Sequence, residues 1–190
     1  MKDLNLPDDL KRCIEFHGHL CPGVVIGYCA AKLALRELAA GRADDEELIA
    51  IVENDTCAVD AIQVLTGCTF GKGNLCFRDY GKMVFTFATR GSGRSVRLLL
   101  RDVNPPDIGN VPEDRRRLRQ IEHMLERDPG DLFDMRRNAL AALPDPARIL
   151  ESATCDVCGE RVMTTRLLRR DGQRLCIPCA EREREERRVG

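Results

Sequence analysis

The sequence predicts an α+β domain followed by a small module stapled by metal. Three observations carry this reading. Apolar residues recur at helical spacing from Leu6 to Ala39. Runs rich in β-branched and aromatic residues at 48–53, 83–90 and 94–101 read as strands. Two CxxC pairs then stand in a stretch of different composition after residue 150.

The first helix is read over Pro7–Phe16. Pro7 suits its first turn, and Asp8 and Asp9 suit its positive end. Leu6, Leu10, Cys13 and Ile14 form its buried face. HGHLC interrupts it. Pro22 opens a second helix, Pro22–Ala39, which Gly41 ends. Its first half is apolar all round and therefore buried. Its small residues Gly23, Gly27, Ala30 and Ala34 let another backbone approach.

LIAIVE, Leu48–Glu53, is the first strand. Asp55 or Thr56 caps a short helix from Cys57 to about Leu65, closed by Gly67. CTFGKGNL is a glycine-punctuated turn, in which Lys72 either serves an anion site or sits in a plain turn. MVFTFATR and RSVRLLLR form a hairpin around Gly91-Ser92-Gly93. Residues 112–142 read as helical, with Leu118, Ile121 and Leu125 on one side and DLFDMRRNALAAL continuing after Pro129-Gly130. Pro144-Asp145-Pro146 marks a boundary, giving domains at 1–150 and 151–190.

The chain has 190 residues, 43% hydrophobic and 32% charged, with a formal net charge of -1. That balance argues for no membrane and gives no general attraction to nucleic acid. MKDLNLPDDLKR is polar and carries no export signal, so a cytoplasmic location is expected. Ten cysteines in such a chain point to metal ligation or thiol chemistry before disulfides.

Cys155, Cys158, Cys176 and Cys179 form the strongest motif, with seventeen residues between the pairs. Four thiolates suit a closed tetrahedral zinc site. RVMTTRLLRRDGQRLC fits a hairpin closed at Asp171-Gly172, and the second pair opens a final helix. So small a module has little core, so structural zinc supplies its folding energy. The tail EREREERR is a solvated helix surface with a Glu183–Arg187 pair.

FHGHLCPG concentrates His17, His19 and Cys21 immediately before a helix start, which stabilises a thiolate. Cys57 has the same placement after a strand, and Cys68 follows in the glycine turn. His19, Cys21 and Cys57 are read as converging on one partly open site, with His17 as fourth ligand or hydrogen-bonding neighbour. They are also the candidate catalytic residues. Asp60, one turn past Cys57, either faces this site or is an ordinary solvated acid. Cys13 and Cys29 are read as core; Cys76 is left open.

FHGHLCPG, VENDTCAVDAIQVLTGCTFGKGNL and the C-terminal CxxC…CxxC together resemble the FmdE family, whose members are named for their association with formylmethanofuran dehydrogenase. The resemblance covers nearly the whole chain. It implies a thioredoxin-like mixed sheet flanked by helices and a C-terminal treble-clef zinc finger. It also implies a second metal, commonly zinc, at His17, His19, Cys21 and Cys57; three good ligands leave that site open enough to be partly occupied. The functional expectation is a metal-binding accessory or assembly factor for a molybdenum or tungsten one-carbon redox enzyme, with that enzyme as partner. The alternatives are a zinc- or thiolate-dependent enzyme acting on a small molecule, and a regulator whose finger grips protein or nucleic acid. A homodimer is expected, because the small-residue face of the second helix and the sheet edges need cover.

Overall fold

The computed structural model describes residues 6–105, 112–140 and 142–189. The chain divides into two compact units, Met1–Ala147 and Arg148–Gly190.

In the first unit, α1 (Asp8–His17) and α2 (Pro22–Leu38) precede β1 (Leu48–Val52) and α3 (Ala58–Thr66). β2 (Leu75–Phe77), β3 (Val84–Thr89) and β4 (Ser95–Leu100) follow, then α4 (Glu113–Leu125) and β5 (Phe133–Arg137). The five strands form one mixed sheet in the order β2-β1-β3-β4-β5. Only β1 and β2 run parallel; the other neighbours are antiparallel. The α+β architecture with a mixed sheet and flanking helices is as the sequence indicates.

Register decides which side chains meet the helices. Ala50 pairs with Phe87, Val52 with Phe85, Phe87 with Val96 and Phe85 with Leu98. These residues share one core with Val24, Val25, Leu33, Ala61 and Ile62 of α2 and α3. Side chains alternate faces along a strand, so the pairing puts all of them on the helix side. Each buried aromatic or branched side chain contributes about 1.5–3 kcal/mol.

Several local expectations are corrected. The segment read as a continued helix after Pro129-Gly130 is strand β5, paired with β4 from Arg137–Val96 to Phe133–Leu100. Its burial alternates, with Phe133 buried, Asp134 exposed and Met135 half-buried. Period-two burial and a free sheet edge outweigh the helical propensity of Met and Arg. Ala141, within the same expected stretch, lies outside the described residues. Leu118 is exposed, and Met124 fills the core beside Ile121 instead. Strand β2, which begins at the last residue of the expected glycine turn, is too short to show alternation. α2 ends at Leu38, and Ala39 behind it takes left-handed backbone at φ 50°, before Gly41 is reached.

Neither Asp55 nor Thr56 caps α3 with its side chain; the cap position is Cys57. The Thr56 hydroxyl donates to Asn54 Oδ1 at 2.8 Å instead. Lys72 is bound within the turn: Nζ donates to the carbonyls of Ala43, Asp44 and Asp45, each at 3.2 Å. Asn74, fully buried, donates to the carbonyls of Asp45 and Leu48 and accepts from the Thr69 N–H. These bonds brace the glycine turn against the segment leading into β1 and leave Lys72 committed to backbone.

The second unit holds two hairpins and a helix. β6 (Ser152–Thr154) pairs with β7 (Arg161–Met163), and β8 (Leu167–Arg170) with β9 (Gln173–Cys176); α5 (Ile177–Val189) ends it. The expected hairpin from Arg161 is thus shorter, since Arg161–Met163 belongs to the first pair. Its turn is Asp171-Gly172, both at positive φ, as a two-residue hairpin loop requires.

Candidate metal centres

The C-terminal cysteines come together first by local geometry. Gly159, at φ 74°, turns the chain after Cys158, and its N–H donates to the Cys155 carbonyl. This knuckle hangs on the first hairpin through Cys155 N–H to Glu160 O at 2.9 Å. Asp156 N–H donates to Arg174 O, and Arg174 N–H returns to Asp156 Oδ2, which joins the knuckle to the second hairpin. Cys176 ends β9, and Cys179 sits in the first turn of α5. All four sulfurs lie within 4.8 Å of one another. A tetrahedron at a Zn–S distance near 2.3 Å separates sulfurs by about 3.8 Å, and Cys158 Sγ is 3.8 Å from Cys176 Sγ. Backbone N–H groups of Cys158 and then Cys176 hold the Cys155 thiol down to about 6. Arg182 donates to Cys179 Sγ at 3.1 Å. Donor chemistry and spacing fit a closed zinc site with a cationic neighbour.

In the first unit, three helix ends converge. His17 is the last residue of α1, Cys21 the cap of α2, and Cys57 the cap of α3. Gly18, at φ 97°, stops α1 and turns the chain toward Cys21. The fit between α2 and α3 is the reason Cys57 reaches the same point. A side chain at Gly27 would meet the Ala58 carbonyl oxygen at 2.0 Å, and one at Gly23 would meet Cys57 Cβ at 2.9 Å. The small residues of α2 therefore receive α3 of the same chain.

His17, Cys21 and Cys57 each offer a donor atom within 4.8 Å of the other two. Cys21 Sγ is 3.8 Å from His17 Nε2. The other ring nitrogen, Nδ1, is 2.7 Å from Asp60 Oδ2. A proton on Nδ1 would bond Asp60 and turn the Nε2 lone pair toward the sulfurs, an arrangement common behind metal-bound imidazoles. Val24 N–H donates to Cys21 Sγ at 3.5 Å, so that sulfur already stabilises the start of α2. The negative end of α1 and the positive ends of α2 and α3 favour, respectively, a cation and two thiolates. Burial first, then the adjacent Cys21, keeps the Cys57 thiol above its ordinary value. Two sulfurs this close cannot both carry charge cheaply without a cation between them. Two thiols and one imidazole fit zinc or a similar divalent ion and leave a coordination position for water or substrate.

His19 lies outside this group of three. Its ring is exposed and rests 4.6 Å from the His17 ring, centroid to centroid. Cys68 is buried, donates to the Leu48 carbonyl at 3.3 Å and has its thiol pushed up to about 11 by burial. Cys13 and Cys29 are buried within the core. Cys76 lies half-buried on the edge strand β2. Asp60 sits behind the imidazole rather than among the donors, and its spacing of three from Cys57 is the sequence signal for it.

A cleft of about 320 Å³ opens beside the donors. His17, Cys57 and Asp60 line one part of it, and Val52, Phe70 and Phe77 another. Phe70 is 67% and Phe77 41% exposed. A small molecule entering here would meet an apolar wall and the open side of the donor group.

A family profile described as "FmdE, Molybdenum formylmethanofuran dehydrogenase operon" matches residues 16–145. The chain belongs to the FmdE family. The FmdE region contains all three donors and Asp60, and ends just before the second unit. A second profile, "Prokaryotic dksA/traR C4-type zinc finger", matches residues 148–185 and takes in the four C-terminal cysteines. Among solved structures, the chain is similar to a tungsten formylmethanofuran dehydrogenase FmdE-like protein from Syntrophus aciditrophicus. The identity is 27%, the TM-score 0.65, and the match covers 90% of this chain and 89% of that one. Among curated proteins, a "Probable S-adenosyl-L-methionine-binding protein" of Archaeoglobus fulgidus is 30% identical over 200 residues. That match takes in 90% of this FmdE chain and 52% of the relative, so the chain spans about half the relative's length. No helix among the described residues is long and apolar enough to cross a membrane.

Proposed function

We propose that this FmdE protein is a metal-binding accessory factor for a molybdenum or tungsten one-carbon redox enzyme. It would hold structural zinc at Cys155, Cys158, Cys176 and Cys179, and a second, exchangeable ion at His17, Cys21 and Cys57. The observation that carries the reading is the meeting of these three donors at three helix ends, with Asp60 behind the imidazole. An open three-donor site releases metal more readily than a closed Cys₄ site, which suits a factor that passes metal on. The descriptions of the matching family and of the solved relative name formylmethanofuran dehydrogenase, and this is the support for that enzyme as partner. A cytoplasmic setting, where lasting structural disulfides are rare, fits the same reading.

The cleft beside Cys57 favours a second reading, in which the bound ion acts as a Lewis acid on a small substrate. In that case His17 and Cys57 would line the substrate site, and Phe70 and Phe77 would exclude water from one side. The curated relative, named as binding S-adenosyl-L-methionine, lends this reading a ligand class to try.

Metal analysis of the full chain tests the proposal. After incubation with zinc, the wild type should carry two ions per chain, one for each donor group. Cys57→Ser should carry one. Transfer of the second ion to a chelator of moderate affinity should be fast in the accessory reading and slow in the enzyme reading. A single ion in both proteins would refute the second site.

A further inference from the structure

We propose that Cys21 and Cys57 are a reversible disulfide pair, so that the N-terminal centre exists in a metal-bound form and an oxidised, metal-free form. The second half of this statement rests on the metal reading above; the first does not.

The pairing follows from placement. The two sulfurs lie no more than 4.8 Å apart. A disulfide bond is about 2.05 Å long, and rotamer changes at both residues can close much of the gap. The backbones carrying them are held together independently of any metal. The start of α2 packs on Cys57 itself: a side chain at Gly23 would stand 2.9 Å from Cys57 Cβ and 3.6 Å from Cys57 Sγ. Both cysteines are partly accessible, whereas Cys13, Cys29 and Cys68 are buried. A small oxidant therefore reaches this pair ahead of the core thiols.

The chemistry balances with a low-molecular-weight disulfide as oxidant. The Cys21 thiol loses its proton to solvent, and Sγ attacks one sulfur of the oxidant. The oxidant's S–S bond breaks, and one small thiolate leaves and takes a proton. Cys57 Sγ, losing its proton to solvent, then attacks Cys21 Sγ and displaces the second small thiolate, which is protonated in turn. Two cysteine thiols are oxidised to one disulfide, and the oxidant is reduced to two thiols. The product has lost both thiolate donors, so His17 alone cannot retain an ion. Conversely, an ion bonded to both sulfurs occupies the lone pairs that the attack requires.

The test uses the full chain, reduced, depleted of metal and treated with oxidised glutathione, followed by non-reducing peptide mapping. The expected product is a cross-linked peptide joining the Cys21 and Cys57 segments, lighter by two hydrogens and reopened by dithiothreitol. Cys57→Ser should stop at a glutathione adduct on Cys21. Finger cysteines oxidised in the same sample appear in separate peptides. Separate Cys21 and Cys57 peptides, each free or carrying glutathione, would overturn the pair. A parallel sample preloaded with zinc should cross-link about tenfold more slowly or less. Unchanged cross-linking there would overturn the metal reading while leaving the disulfide standing.

Discussion

Replacing Gly27 by Ala should separate the proposed N-terminal site from the C-terminal finger by disabling one and sparing the other. The new Cβ would stand 2.0 Å from the Ala58 carbonyl oxygen and 2.7 Å from Ala58 C and Cα. Real Cβ contacts essentially never fall under 3.0 Å, so the first turn of α3 must retreat by at least 1.0 Å. The obstacle is backbone, which cannot rotate aside. Overpacking of this kind costs about 3 kcal/mol, the upper part of the usual range. Alanine is the better helix former by about 1 kcal/mol. The clash wins, and the net loss is about 2 kcal/mol, or about 4–8 °C in Tm for a unit of this size. Cys57 adjoins Ala58, so its sulfur moves with the turn. Metal–ligand distances tolerate only about 0.2 Å, so the N-terminal ion should be lost while the finger ion stays. Thermal melting by circular dichroism and metal analysis read both effects. Gly41→Ala, with nothing within 4 Å of its Cβ, is the control and should change neither. A Gly27→Ala protein with wild-type melting and two ions would refute the packing argument.

Four further outcomes are expected. Asp60→Asn should keep the fold and weaken the N-terminal ion's affinity about 10–100-fold, measured by competition with a zinc chelator, because the His17 ring loses its carboxylate. Cys155→Ser should unfold the second unit, seen by loss of protected amides after residue 150, and leave amides of β1 and β3 protected. Lys72→Met removes a cation from three carbonyls and should lower stability by about 1–3 kcal/mol in urea titration, with both ions retained. Sedimentation at micromolar concentration should show a dimer through the β2 or β5 edge; a monomer would leave those edges as merely short strands. The face of α2 no longer argues for a dimer, since α3 covers it.

Much of this was legible in the residues because local rules and tertiary context agree there. Pro22, the apolar first half of α2 and the β-branched run at Leu48–Val52 each specify their element without help from elsewhere. The CxxC pairs carry their ligand geometry in their spacing. β5 was illegible because Met135, Arg136 and Arg137 favour helix, and only pairing with β4 makes the segment a strand. The part of Asp60 was half legible: spacing placed it near Cys57, but its hydrogen bond runs to His17, which lies 43 residues away. Lys72 in GKGN reads either as an anion site or as part of a plain turn, and only the carbonyls of residues 43–45, arriving from a distant stretch, decide for the turn. Gly23 and Gly27 signalled a close backbone approach, and only the fold shows that the visitor is α3 of the same chain.

The proposal rests on one ion held jointly by His17, Cys21 and Cys57. Anomalous diffraction at the zinc edge, on crystals of the full chain grown with zinc, tests it most directly. A peak is expected about 2.0–2.1 Å from His17 Nε2 and about 2.3 Å from the sulfurs of Cys21 and Cys57, besides the peak within the four C-terminal cysteines. A peak bonded to Cys21 or Cys57 but not both, or no peak between the three helix ends, would contradict it.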